Sequence, residues 1–228
     1  MDERTVGSQP LGREWVTTRF AQLGQPGRRG FGGAADAAEA AALRQATRGD
    51  HDLNPGMTPP SVELRPAAVL VPLVDRPQGM SVLLTQRTQH LSAHAGQIAF
   101  PGGRPQASDS DAVATALRET EEEVGLARHF VEVIGAVDHY RTGTGYEITP
   151  IVGIVTPGFT TRADPREVAD VFEVPLAHFL DEKNHQIRSR TWNGRERLFY
   201  AMPYGERYIW GATAGMLKNL QFVLTAAG

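Results

Sequence analysis

Four glutamates crowd into five positions, Glu119, Glu121, Glu122 and Glu123, shortly after a Gly-Gly turn in the run from Phe100 to Leu126, FPGGRPQASDSDAVATALRETEEEVGL. On a helix, like charges a turn apart cost about a few tenths of a kcal/mol per pair. A face built only for solubility would interleave lysine, so this pattern implies a bound cation. Oxygen-only ligation, with positions left over for water and phosphate, suits Mg²⁺ or Mn²⁺.

At roughly 100° per residue, Val113, Ala116, Leu117, Thr120 and Val124 share a narrow stripe, the face expected to be buried. Glu119, Glu122 and Glu123 gather on a second face at i, i+3 and i+4. Glu121 points elsewhere and reads as a plain solvated residue. Three converging carboxylates would raise one another's pKa unless something positive compensates. Arg118 cannot ligate a metal, but its fork can hold a carboxylate in one orientation. Ser108, Asp109 or Ser110 can cap the start of this helix, and Gly125 supplies its stop.

The elements that must carry this helix are short and apolar. Ala67 to Val74, Ser81 to Thr85, Gln97 to Phe100, Val131 to Val137 and Ile148 to Val155 read as strands, the first two joined by a Pro-Gln-Gly turn. Further helical patterns run near Glu167 to Phe172 and from Thr213 to Leu224. Strands around one central helix give an α+β class, a mixed α/β/α sandwich. Residues 1 to 60 differ: Gly-rich patches, an alanine-rich stretch from Ala34 to Arg48 that reads as a helix, and a turn-like linker from Asn54 to Pro60. They read as an N-terminal extension without chemistry, partly flexible, ahead of a domain at 61–228.

Composition narrows the function. The chain has 228 residues, a net charge of -3, 41% hydrophobic and 21% charged residues, and no cysteine. A single globular domain with an extension fits that length. The charge gives no reason to expect nucleic-acid binding, and the missing cysteines exclude thiolate metal sites and nucleophiles. The longest apolar run, Ala67 to Val74, is too short for a bilayer and contains Pro72. A start at Met-Asp-Glu-Arg lacks the apolar core of a secretory signal, so a cytoplasmic location is expected.

At these residues the sequence resembles the Nudix hydrolases, whose box reads G-x5-E-x7-R-E-U-x-E-E-x-G-U with U a bulky aliphatic. Arg118 to Leu126 match its C-terminal half, apart from Thr120 at a U position. Counting back puts Ser110 at the first glutamate and Arg104 at the glycine. The loop therefore looks one residue longer, with Gly103 one place early and Asp109 or Asp111 left to stand in for the acid. That substitution weakens the role expected of Asp109. The resemblance implies the Nudix fold with a loop-helix-loop box and hydrolysis of a nucleoside diphosphate linked to another group. It makes Glu122 and Glu123 metal ligands, Glu119 a third ligand or the base that deprotonates water, and the Gly103 carbonyl a further ligand. A pyrophosphate repels hydroxide, so metals there would neutralise charge and activate water.

A longer signature lies upstream: Leu83 to Leu91, LLTQRTQHL, then His94 to Gly103, HAGQIAFPGG. It resembles the LLTxR(S/T)…GxxxFPGG element of the coenzyme A diphosphatase subgroup. The stretches Gly145 to Gly153, Glu167 to Phe172 and Tyr208 to Ala214 extend the likeness, which spans roughly Arg65 to Leu224. The reaction implied splits coenzyme A into 3′,5′-ADP and 4′-phosphopantetheine. Arg87 is a phosphate contact or a structural ion pair at a strand end. Glu167 is a further catalytic acid or a helix-start glutamate. Gly102, Gly103 and Tyr146 complete the substrate-binding candidates. Where relatives carry basic residues after Leu91, this chain has Ser92 and Ala93, which would weaken recognition of the 3′-phosphate.

His90, His94 and His139 read as loop or packing histidines rather than a zinc site, and Tyr208 and Trp210 as core aromatics. Two other functions compete with coenzyme A cleavage. One is hydrolysis of another substrate such as NADH, ADP-ribose or an oxidised nucleotide. The other is nucleotide sensing without turnover, which the retained Glu119, Glu122 and Glu123 argue against. By analogy with other Nudix proteins a homodimer is expected.

Overall fold

The computed structural model describes residues 11–22, 48–54, 64–90, 94–192 and 194–225. Of the expected helix from Ala34 to Arg48, residues 34–47 lie outside them and Arg48 is extended in a short strand instead; Leu91, Ser92 and Ala93 also lie outside them. The centre of the fold is a parallel pair, β2 (Arg65–Val74) and β8 (Tyr146–Val155), in register from Arg65↔Tyr146 to Val74↔Val155. Both strands are near-continuous apolar runs because both faces of the sheet are covered. Ala68, Leu70, Val74, Ile151 and Val155 face one core, shared with Ala116, Val124 and Leu126. Val69, Val71, Leu73, Val152 and Ile154 face the other.

Around this pair, β6 (Val131–Ala136) and β7 (Tyr140–Arg141) run antiparallel to β8, and β1 (Arg48–Gly49) joins β7. On the other side β3 (Ser81–Arg87) touches β2 only at Leu73 and Val74, then diverges to pair with β9 (Val168–Pro175) and β4 (Ile98–Ala99). The wedge this leaves is filled by β5 (Gly102–Gly103), which pairs with Ala68 and Val69 of β2. Leu70 donates its N–H to the Pro101 carbonyl on the wedge side. With a period of two along the strand, the missing N–H of Pro72 falls between β5 and β3, where neither needs it.

One face of the sheet carries α2 (Ala112–Val124). The other carries α1 (Arg13–Gln22), the short α3 (Leu176–Leu180) and α4 (Ala212–Thr225), which completes an α/β/α sandwich. Val16 and Phe20 of α1 are fully buried in the larger core.

Two expectations are corrected here. Glu167 to Phe172 is not helical: Val168 to Pro175 form β9, paired antiparallel with β3, with a register shift between Gln86 and Arg87. Val168, Val171 and Phe172 fit helical spacing, but two β-branched valines, an aromatic and a terminal proline suit a pleated strand better. The start of α2 is capped by none of Ser108, Asp109 and Ser110. Asp111 is extended there, and its side chain accepts the Ala114 N–H at 2.8 Å. A separate hairpin, β10 (Gln186–Trp192) and β11 (Arg195–Ala201), was not anticipated. Its signal is the Asn-Gly dipeptide at 193–194, the usual marker of a two-residue turn.

Candidate active site

The face of α2 that meets the sheet buries Ala116, Thr120 and Val124, with Val113 and Leu117 packed beside them. Thr120 fits a fully buried aliphatic position because its hydroxyl bonds back to the Ala116 carbonyl at 2.7 Å. At the other end Gly125 takes φ 71°, a left-handed stop. Two carbonyls of the last turn are satisfied from outside: Arg162 N–H reaches Val124 at 2.7 Å and Asp164 N–H reaches Glu123 at 2.9 Å. This docks the loop before β9 onto the helix and brings Glu167 to the carboxylates.

Arg118 organises the near side. Its Nε and Nη2 fork onto Asp109 at 3.0 and 2.9 Å, Nη2 also donates to the Arg104 carbonyl at 3.0 Å, and Nη1 reaches Glu119 at 2.8 Å and Glu122 at 3.0 Å. All five guanidinium donors are thereby used. Asp109, given little weight from the sequence, is the bidentate partner that fixes this arginine. Arg118 hydrogen bonds hold the Asp109 carboxyl well below the usual carboxylate range.

Glu123 is the buried acid, with a side chain 5% exposed. Burial pushes its pKa up to about 7, against the lowering effect of the Gly102 N–H, which it accepts at 3.1 Å, and of Arg87; the charges of Glu167 and Glu119 add to the rise. Burial likewise raises Glu119, although Arg118 opposes it. Glu122 lies toward solvent, 55% exposed. Arg87, at the end of β3, stands 3.6 Å from Glu123 and 3.9 Å from Glu167, and its Nε is buried without a partner. The Thr88 N–H to the Glu167 carbonyl locks those two segments together at 2.9 Å. An open cleft of about 730 Å³ runs along Glu119, Glu121, Glu122, Glu123 and the loop from Arg162 to Glu167.

Glu119, Glu122, Glu123, Arg118, Arg87, Glu167, Gly102 and Gly103 are thus neighbours, although they come from four separate segments. Tyr146 stands apart, bonded through its hydroxyl to Arg104 at 2.6 Å. Glu121 is not plainly solvated: its carboxylate accepts the Arg128 N–H and pairs with the Arg128 guanidinium at 2.6 Å. His94 bonds Gln97 at 2.8 Å and His139 meets Thr149 at 3.4 Å. Trp210 packs edge-on to Phe199, whereas Tyr208 is exposed rather than core.

Among the described residues no three acidic or histidine side chains already form a closed metal cage. Arg118 and Arg87 hold the carboxylates in their present orientations. The donor set nonetheless fits a hard divalent cation: it is all oxygen, and its buried member already carries a raised pKa that nearby positive charge would reverse.

Residues 64–193 match the family described as the NUDIX domain, over half of the chain. This chain belongs to the Nudix family. The uncharacterized Nudix hydrolase NudL of Escherichia coli K12 is 43% identical over 168 residues, 74% of this chain and 87% of that protein. The protein of the same name from Salmonella paratyphi B is 42% identical over the same shares. A solved Caenorhabditis elegans Ap4A hydrolase complex is 18% identical, with a TM-score of 0.42 over 50% of this chain and 82% of that one. The chain has the Nudix fold and is a Nudix hydrolase, a pyrophosphatase acting on a nucleoside diphosphate-linked substrate. Nudix enzymes typically use divalent metal ions, and no helix among the described residues is long and apolar enough to cross a membrane.

Proposed function

We propose that this Nudix hydrolase cleaves the pyrophosphate of coenzyme A, or of an acyl-coenzyme A, to 3′,5′-ADP and (acyl-)4′-phosphopantetheine, with Mg²⁺ or Mn²⁺. One observation carries the reading. Both segments of the upstream signature reach the buried carboxylate of α2: Gly102 N–H is 3.1 Å and Arg87 is 3.6 Å from Glu123. Other signature residues serve that meeting. Thr85 bonds the Ala99 carbonyl, and Gly96 N–H bonds the Thr88 carbonyl. Gly96 has φ 68°, and a side chain there would collide with Gln89.

In this scheme Glu119, Glu122, Glu123 and the Gly103 carbonyl would hold the metal. When bound, it neutralises the pyrophosphate and lowers the pKa of water. Arg118 keeps Glu119 and Glu122 oriented. Arg87 is placed to fork onto a phosphate oxygen. Glu119 or Glu167 takes the proton from the water whose oxygen adds to phosphorus as the bridging P–O bond breaks. Glu167, exposed beside the cleft, has the easier route for passing that proton to solvent.

The test is product analysis with Mg²⁺ or Mn²⁺ across coenzyme A, NADH, ADP-ribose and nucleoside triphosphates. Release of 3′,5′-ADP from coenzyme A in preference to turnover of the others is the expected result. Preferential cleavage of another compound would replace this substrate, and tight nucleotide binding without any turnover would point to a sensor.

A further inference from the structure

Across the stretch Gly102 to Arg104 from the carboxylates, two guanidiniums converge on one phenol. Arg65 and Tyr146 are directly paired where β2 and β8 begin, and the Arg65 Cζ lies 4.0 Å from the ring centroid of Tyr146. Arg104 donates to the Tyr146 hydroxyl at 2.6 Å, with its own Cζ 5.5 Å from the centroid. Arg65 otherwise donates to the Thr144 carbonyl at 2.9 Å. Arg76, Arg118, Arg128, Arg141 and Arg207 each have a carboxylate partner. Arg65 and Arg104 have none among the described residues, and both are exposed. Two cations sharing one neutral ring repel each other, and an anion between them would relieve that repulsion.

The backbone ties this cluster to the catalytic cleft. Side chains alternate across a strand. A side chain on Gly103 would point at the Glu119 carboxylate, so Arg104, the next residue, turns to the opposite face and reaches Tyr146. The Arg104 carbonyl meanwhile accepts from Arg118. Carboxylates and basic pair therefore flank the same short stretch, Gly102 to Arg104.

The geometry points to a second anion subsite in which Arg65 and Arg104, with the Tyr146 hydroxyl between them, take a phosphomonoester of the substrate away from the bond being cleaved. The inference rests on the coenzyme A reading, whose substrate carries a ribose 3′-phosphate in addition to its pyrophosphate. Guanidinium forks match phosphate oxygens. The pair would supply, from β2 and the loop after β5, the positive charge that Ser92 and Ala93 do not.

Calorimetric titration with Mg²⁺ decides the matter by comparing adenosine 3′,5′-bisphosphate with AMP, neither of which contains a pyrophosphate to be cleaved. The native protein should bind the bisphosphate about tenfold tighter or more, as a charge-assisted contact implies. In Arg65→Gln and Arg104→Gln that ratio should fall to about twofold or less, and Arg104→Lys should retain part of it because the charge remains. Melting temperatures confirm that each variant is folded. In turnover, the advantage of coenzyme A over its dephospho form should lie in KM and shrink in the same variants. Equal affinity for both nucleotides in the native protein, or a ratio that survives both glutamine substitutions, would overturn the subsite. Coenzyme A cleaved without any bisphosphate preference leaves the reaction standing and removes the subsite. An arginine-dependent preference in a protein that leaves coenzyme A intact does the reverse.

Discussion

The Glu119 carboxylate occupies the space that a side chain on Gly103 would need: a Cβ built there falls 2.6 Å from its Cδ and 2.7 Å from each oxygen. The glycine is therefore what lets the acid stand beside the turn. Because the colliding group ends a flexible side chain, Gly103→Ala should fold and swing Glu119 aside. A displacement of about 1 Å at a reacting centre can cost roughly a hundredfold. Hydrolysis should fall by about that factor while the melting temperature moves by only a few degrees. A native rate in this variant would show that Glu119 is not used where it stands.

Glu123 gives the metal-free protein a pH dependence of known sign. Folding raises its pKa from 4.5 to about 7, so the folded state favours the neutral acid. The stability tied to that proton is complete below about pH 4.5 and is lost as the pH rises through 7, on the order of 3 kcal/mol in total. Denaturant melts in chelator should show this loss between about pH 5 and 8. Glu123→Gln, which keeps an acceptor for the Gly102 N–H, should flatten most of it, leaving the smaller share from Glu119. Magnesium should bind with proton release near neutral pH, seen as a heat that depends on the buffer. Binding without proton release would contradict a raised pKa for this group.

How far the sequence led depends on the range of each interaction. Local signals carried well: the spacing of Val113, Ala116, Leu117, Thr120 and Val124 located α2 and its carboxylate face, and Gly125 its end. The spacing of Val168, Val171 and Phe172 misled, because the partner strand β3 decides that segment and lies some 80 residues upstream. Asp109 was undervalued for a similar reason. Its importance comes from the Arg118 fork, which no spacing rule scores. Glu121 read as free because Arg128, its partner, lies beyond the end of the helix. The neighbourhood of Arg65, Arg104 and Tyr146 depends on β2, β5 and β8 lying side by side, and only the folded chain displays it.

Arg118 spends all five donors on three carboxylates and one carbonyl. A lysine has three donors and no planar fork, so Arg118→Lys must abandon part of the set. Hydrogen bonds to charged groups are worth about 1.5–3 kcal/mol each. We expect a net loss of about 2 kcal/mol in urea unfolding, with activity down roughly tenfold to a hundredfold as Glu119 and Glu122 lose their common anchor. Unchanged kinetics would mean that the carboxylates orient themselves.

Neighbouring acids on α2 should separate structural from chemical roles. Glu121 and Arg128 have side chains 32% and 57% exposed, so their ion pair is solvent-screened and contributes little to stability. Glu121→Gln should lower stability only slightly and leave turnover within roughly threefold, since its carboxylate is paired with Arg128 rather than with Arg118 or Arg87. Glu122→Gln removes a charge from the group that holds the metal in the proposed scheme, at a site 55% exposed that contributes little to packing. Its stability should barely change, while activity falls at least roughly a hundredfold, the scale on which losing one electrostatic group is felt at a reacting centre. Parallel kinetics and urea melts on the two variants check both halves. Similar rate losses at the two positions would mean that Arg128 and the turn it anchors belong to the catalytic apparatus.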